Sequence, residues 1–170
     1  MTRVEVPDPL FGLTTNTRVQ APVERVSLVR LGAIRSLASS LGASSPSPSA
    51  VSMALRRKGP VHCVAISDER AMSAALRFTD DHQTMTELAC SATLVPAYTP
   101  HLLEHILDGL HTPNQEKRKV LVFVLCGGCK GSLEAMRLFQ ERLSDWQGDD
   151  IIMDGNRLTP CILDEPRTNA

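Results

Sequence analysis

The chain has 170 residues, 42% of them apolar and 22% charged, which suits one soluble globular domain with a sizeable core. Its formal net charge of −1 comes without any block of like charges, so composition argues against a nucleic-acid or membrane-surface partner. No apolar run is long enough to cross a bilayer, and Met1–Leu13 lacks the apolar centre of a signal peptide. Five cysteines, an odd number, read as thiols in a reducing compartment, and the expectation is a cytoplasmic protein.

In chain order, residues 1–30 form a divergent N-terminal segment, irregular through residue 27, where Pro, Thr and Arg are scattered without a sustained period. Leu31, Ile34, Leu37, Ala38 and Leu41 recur at three-to-four spacing, which predicts a short amphipathic helix over Arg30–Leu41, stopped by Gly42. A serine–proline loop, 44–49, precedes a helix over Ala50–Arg57 that Gly59-Pro60 ends, and Val61–Ile66 follows as a short strand. Ser67 or Asp68 caps the next helix, whose Met72, Ala75, Leu76 and Phe78 lie along one side. Glu87–Leu110 is a helical stretch broken near Pro96 and Pro100. Lys119–Leu125 is the clearest strand, a continuous Val/Leu/Phe run of the kind buried on both faces of a parallel sheet. The glycine turn Cys126–Gly131 leads into a helix over Ser132–Leu143 with Leu133, Met136, Phe139 and Leu143 as its apolar stripe; the tail, 146–170, has low periodicity. Strands alternating with helices give an α/β fold with a parallel sheet. Two clear strands are few for a sheet, so the sequence reads as part of a larger one.

Chemistry concentrates at Cys126-Gly127-Gly128-Cys129. A thiol at the C-terminal end of a buried strand stands where open α/β sheets bind ligands, and the following helix points its positive end at the same crevice. Three readings are open. Cys126 is a buried small hydrophobe in a strand-to-helix turn; or Cys126 and Cys129 are a thioredoxin-like C-x-x-C redox pair followed by Lys130; or the turn is a wall against a cofactor. The histidines offer no metal-ligand set, and Asp80-Asp81 reads as a helix end.

Leu125-Cys126-Gly127-Gly128 resembles the Val-Cys-Gly-Gly segment near the C-terminus of the L-serine/L-threonine dehydratases (L-serine ammonia-lyases), in their fungal-like form. Residues 34–43 are similar to that family's Ser-x-Ala-x-x-Leu-Gly stretch, 64–69 to its Val-Ser-Asp-Glu element, 86–93 to its Glu-Pro/Leu-Ala-Cys helix start, and Ser132-Leu133 to the opening of its last helix. Each match is short, but all fall in the family's order, and residues 31–145 are read as the C-terminal part of the dehydratase domain.

The resemblance implies a tryptophan-synthase-β-like (fold-type II) enzyme using pyridoxal 5′-phosphate to remove ammonia from L-serine, giving pyruvate, or from L-threonine, giving 2-oxobutanoate. A lysine holds that cofactor as a Schiff base and takes the substrate's α-proton, and the ring serves as electron sink. Cys126 is implied to face the pyridine nitrogen, with Gly127 and Gly128 giving the ring room. A thiol, with an ordinary pKa of about 8.5, leaves that nitrogen largely neutral. Cys129 and Lys130 depart from the family pattern. None of the four lysines, Lys58, Lys117, Lys119 and Lys130, stands in the family's Ser-x-x-Lys-x-Arg-Gly context, and no glycine run is present to cradle a phosphate. The catalytic lysine is thus absent, and the expectation is a truncated chain, inactive on its own. It is either a dehydratase completed by a partner chain or a non-catalytic remnant that binds something, and the expected pairings are a homodimer or a full-length relative.

Overall fold

The computed structural model describes residues 2–5, 26–108, 110, 119–126 and 130–158. They fall into two compact units, one holding residues up to Ser36 together with Gly42–Val61, the other holding Leu37–Leu41 and residues from His62 onward.

In the first unit, β1 (Thr2–Glu5) and β2 (Ser27–Arg30) pair antiparallel, with Thr2 opposite Arg30 and Glu5 opposite Ser27. The Leu31 amide then donates to the Ser44 carbonyl at 2.7 Å. α1 (Pro48–Arg56) begins at Ser47 with proline in its first turn, where a missing N–H costs nothing. The helix expected over residues 30–41 is not formed. Leu31, Ile34, Leu37 and Leu41 are all exposed, so the periodic positions find no face to bury, and the five serines from 36 to 45 favour local backbone bonding over helix.

The second unit is organised around α2 (Asp68–His82). Ser67 caps it, its hydroxyl accepting from the Arg70 amide at 3.1 Å, and Asp68 and Glu69 sit in the first turn where the helix dipole favours acids. The helix ends at Gln83, which takes the left-handed conformation at φ 54°. Ala71 and Met72 pack on one side against Leu88, Ala89 and Phe139, and Ala74 on the other against Leu94, Val95, Leu102 and Ile151. Alanines at these positions let neighbouring backbones come close. Full burial of side chains such as Met72 and Leu102 contributes about 1.5–3 kcal/mol each. The stretch after residue 87 is helical in pieces: α3 (Leu88–Ser91), a 3-10 turn at Ala92–Leu94, α4 (Val95–Tyr98) and α5 (Pro100–Leu107). Pro96 and Pro100 fall at the starts of α4 and α5, as their lack of an N–H requires. α6 (Leu133–Leu143) is capped by Ser132, whose hydroxyl accepts from the Ala135 amide at 3.1 Å.

The unit's sheet is small and antiparallel, β3 (Val64–Ala65) pairing with β4 (Ile151–Met153) and β4 with β5 (Asn156–Leu158). Asp154 and Gly155 both have positive φ, 51° and 83°, which is the two-residue hairpin turn that matches strand twist. This hairpin lies in the tail, a segment of low periodicity in the sequence. Asp154 also ties the turn to the approach of β3: its carboxylate accepts from the Cys63 amide and meets His62 Nδ1, each at 2.7 Å.

The mixture of helices and strands agrees with an α/β reading. The parallel sheet does not appear: every ladder among the described residues is antiparallel. Residues 119–125, expected as a buried strand of that sheet, carry no strand pairing among the described residues. Their exposure alternates, with Val120, Val122 and Val124 at 84, 81 and 71%, against 42 and 36% for Leu121 and Phe123. That period of two marks an extended segment resting one side on the body and turning the other to solvent. A run apolar on both faces needs neighbouring strands to bury it, and the described residues supply none. Among them, no helix is long and apolar enough to cross a membrane.

Candidate functional site

Residues 120–126 end in a corner formed with α3 and the residues just before it. The Thr93 hydroxyl faces the Cys90 carbonyl at 2.8 Å and the Val124 carbonyl at 3.2 Å, sharing one hydrogen between them. Cys90 Sγ donates to the Cys126 carbonyl. Leu125 packs into the cluster that holds Leu94 and Val95. On the far side of the turn, a side chain at Gly131 would meet the Thr86 carbonyl carbon at 3.4 Å, so the chain re-enters α6 pressed against the 86–87 backbone.

The floor of this corner is polar and fully satisfied. Thr86 Oγ1 and Ser91 Oγ, both buried, bond each other at 2.7 Å, and Ser91 Oγ reaches the Glu87 carbonyl at 3.0 Å. Glu87 is the residue preceding α3, and its carboxylate lies 3.9 Å from Cys90 Sγ. Cys90 is buried, and its thiol is pushed up from its ordinary pKa. Burial is the largest cause, followed by a side-chain hydrogen bond with Cys126 and the charges of Cys126 and Glu87, with the backbone bond acting in the opposite sense. Cys90 is therefore held as a thiol at neutral pH.

Cys126 itself is exposed, and so is free to meet a ligand. Gly127, Gly128 and Cys129 lie outside the described residues. Lys130 is exposed just before α6, its ammonium donating to Ser39 Oγ at 2.7 Å. Cys63, expected to be buried on a strand, is instead exposed one residue before β3. Of the histidines, His82 packs on Phe78 with ring centres 4.6 Å apart, and His101 and His105 meet edge to face at 4.5 Å. Asp81 closes α2 by accepting from the Tyr98 hydroxyl at 3.0 Å. His111 lies outside the described residues. Two buried features escaped sequence reasoning. One is the Cys90–Cys126 contact, which joins residues 36 apart. The other is Arg70, only 5% exposed and bonded through Nε to the Asp149 carbonyl at 3.1 Å, beside the Trp146 ring.

No family model matches the sequence. The curated relatives are consistent with one another. The L-serine dehydratase/L-threonine deaminase of Homo sapiens is 35% identical over 118 residues, covering 68% of this chain and 34% of that protein. The chain is similar to the L-serine/L-threonine dehydratases. An L-serine dehydratase of Saccharomyces cerevisiae strain AWRI1631 is 32% identical over 108 residues, covering 62% of this chain and 30% of that protein. A further yeast protein, provisionally named a truncated L-serine dehydratase, is 31% identical over 108 residues, covering 62% of this chain and 48% of its own length. The chain thus spans about a third of the length of the human relative and of the strain AWRI1631 enzyme.

Proposed function

We propose that this chain contributes the C-terminal wall of a pyridoxal-phosphate-dependent L-serine/L-threonine dehydratase domain of fold-type II. Cys126, Gly127 and Gly128 face the cofactor ring, and the catalytic lysine and phosphate cradle are supplied by other residues. What carries the reading is the state of residues 120–126 in a chain similar to these dehydratases. The segment is extended, held on one side by Thr93 and Cys90, and bare along Val120, Val122 and Val124. A strand belonging to a larger sheet has this character when its neighbours lie in another stretch of polypeptide.

The residues present do not fit the cofactor as a complete site, so no chemical step is routed through it here. Cys126 offers one thiol contact. Among the described residues, Lys130 has its amine bonded to Ser39, Lys119 lies at the start of the bare segment and Lys58 follows α1. One neutral hydrogen bond contributes about 1 kcal/mol, whereas millimolar affinity needs about 4 kcal/mol. The chain alone is accordingly inactive toward serine, and its activity depends on a partner that completes the sheet.

The test is complementation. The purified chain is mixed with a dehydratase relative deleted of the matching segment, and pyruvate formation from L-serine is followed. Restored turnover that disappears when Val122 is changed to Lys supports the proposal. No restoration, with both parts folded by circular dichroism, refutes it.

A further inference from the structure

The Cys126 corner holds a second thiol that the dehydratase reading does not use. Cys90 Sγ donates to the carbonyl oxygen of Cys126. A carbonyl oxygen lies about 2.4 Å from its own Cα by covalent geometry, so the Cys90 sulfur sits beside the Cys126 Cα. A contact from the sulfur of one cysteine to the backbone of the other brings the two residues near the spacing a disulfide needs. The two partners differ in a useful way, since Cys126 is exposed and Cys90 is buried. A small oxidant in solution reaches the first and not the second.

We propose that Cys90 and Cys126 form an oxidation site, closing to an intramolecular disulfide when the chain meets a peroxide. The sulfur of Cys126 attacks one oxygen of hydrogen peroxide, which breaks the O–O bond, leaves a sulfenic acid and releases one water. The sulfur of Cys90 then attacks the sulfenic sulfur, forming the S–S bond and releasing the second oxygen as water with the Cys90 proton. Two thiols and one peroxide give one disulfide and two waters. Cys90 is the resolving thiol, and its upward-shifted ionisation makes the second step slow at neutral pH and faster in alkali. The bond covalently ties the extended segment to α3. It leaves Cys126 with no free thiol, so a ring facing it loses that contact; this consequence alone rests on the dehydratase reading.

Free thiols on the purified chain are counted before and after hydrogen peroxide, and peptides are mapped without reduction, with no cofactor present. The outcome is thus independent of whether the dehydratase reading holds. Two thiols are lost together, and a cross-link joins the peptide containing Cys90 to the one containing Cys126. The cross-link persists in Cys129→Ser, is abolished in Cys126→Ser and Cys90→Ser, and forms faster as pH rises. Because Cys90 is buried, Cys126→Ser, at an exposed position, provides the control that keeps the fold. A bond between Cys126 and Cys129, a bond between two chains, or a stable oxidised acid on Cys126 with Cys90 untouched would overturn the proposal.

Discussion

Arg70 offers the sharpest quantitative test of how the larger unit is held together. Its guanidinium is 95% removed from solvent, and Nε donates to the Asp149 carbonyl at 3.1 Å, with a second bond from Nη2 to the same oxygen. Asp149 Oδ1 lies 2.8 Å from Nε yet forms no hydrogen bond, so the carboxylate acts on Arg70 by charge alone. Trp146 stands 5.7 Å from the guanidinium carbon, near the outer limit of a cation–π contact. Arg70→Met keeps most of the buried stem and removes the charge and both bonds. Breaking a wholly buried ion pair costs about 3–5 kcal/mol. Asp149 keeps 33% of its side-chain surface in water and can be rehydrated, which lowers the expected loss to about 2–3 kcal/mol. For a chain of this length that is a fall in Tm of about 4–12 °C. Trp146 is the only tryptophan, so urea unfolding followed by its fluorescence reports from beside the substitution. Asp149→Asn combined with Arg70→Met should cost less than the sum of the two single changes. A loss under about 0.5 kcal/mol for Arg70→Met would show that the buried guanidinium is not what anchors residue 149.

Two further outcomes follow from titrating groups. The Cys63 amide, and after it His62, hold the Asp154 carboxyl below its ordinary range. Its contribution to stability is therefore complete above the unfolded carboxyl's value of about 4 and fades as pH falls below it. Hydrogen exchange of the β4–β5 amides should quicken on that descent, and less so in Asp154→Asn; exchange indifferent to the acid range contradicts this. Tyr98, the only tyrosine, is pushed up to about 12 by burial and then by its bond to Asp81. A raised acid stabilises the fold below the unfolded value of about 10, and that contribution is lost as pH rises through 12. Its ultraviolet titration should have a midpoint near 12, shifted part of the way back by Asp81→Asn. A midpoint near 10 in the unaltered protein would refute the assignment.

The legible parts of the fold are those fixed by local chemistry. Ser67 and Ser132 cap the helices they precede, and Pro96 and Pro100 break the stretch they interrupt, because capping and missing N–H groups act within a few residues. The period at residues 31–41 misled because spacing describes a face without saying whether anything covers it, and of its apolar residues only Ala38 is buried. Residues 120–125 were read as a strand of a larger parallel sheet, and they carry no strand pairing among the described residues. A run apolar on both sides specifies burial, but burial depends on strands that the described residues do not hold. The hairpin at Asp154-Gly155 had a readable signal, a turn dipeptide between Ile151–Met153 and Asn156–Leu158, overlooked because each arm is only three residues long. Of the candidate site, Cys126 and the residues from Thr86 to Ser91 were marked by motif. Their meeting through Cys90 was not, since a contact across 36 residues is a product of the folded chain.

The central claim is that this chain forms one wall of a dehydratase site and does not hold the cofactor alone. Adding pyridoxal phosphate to the purified chain, fixing any lysine-bound cofactor with borohydride, and assaying pyruvate from L-serine measures this directly. The account predicts no saturable absorbance of a bound cofactor, no site-specific lysine adduct and no pyruvate. A stoichiometric adduct on Lys130 with measurable turnover would contradict it, and would place a working catalytic lysine beside Cys126.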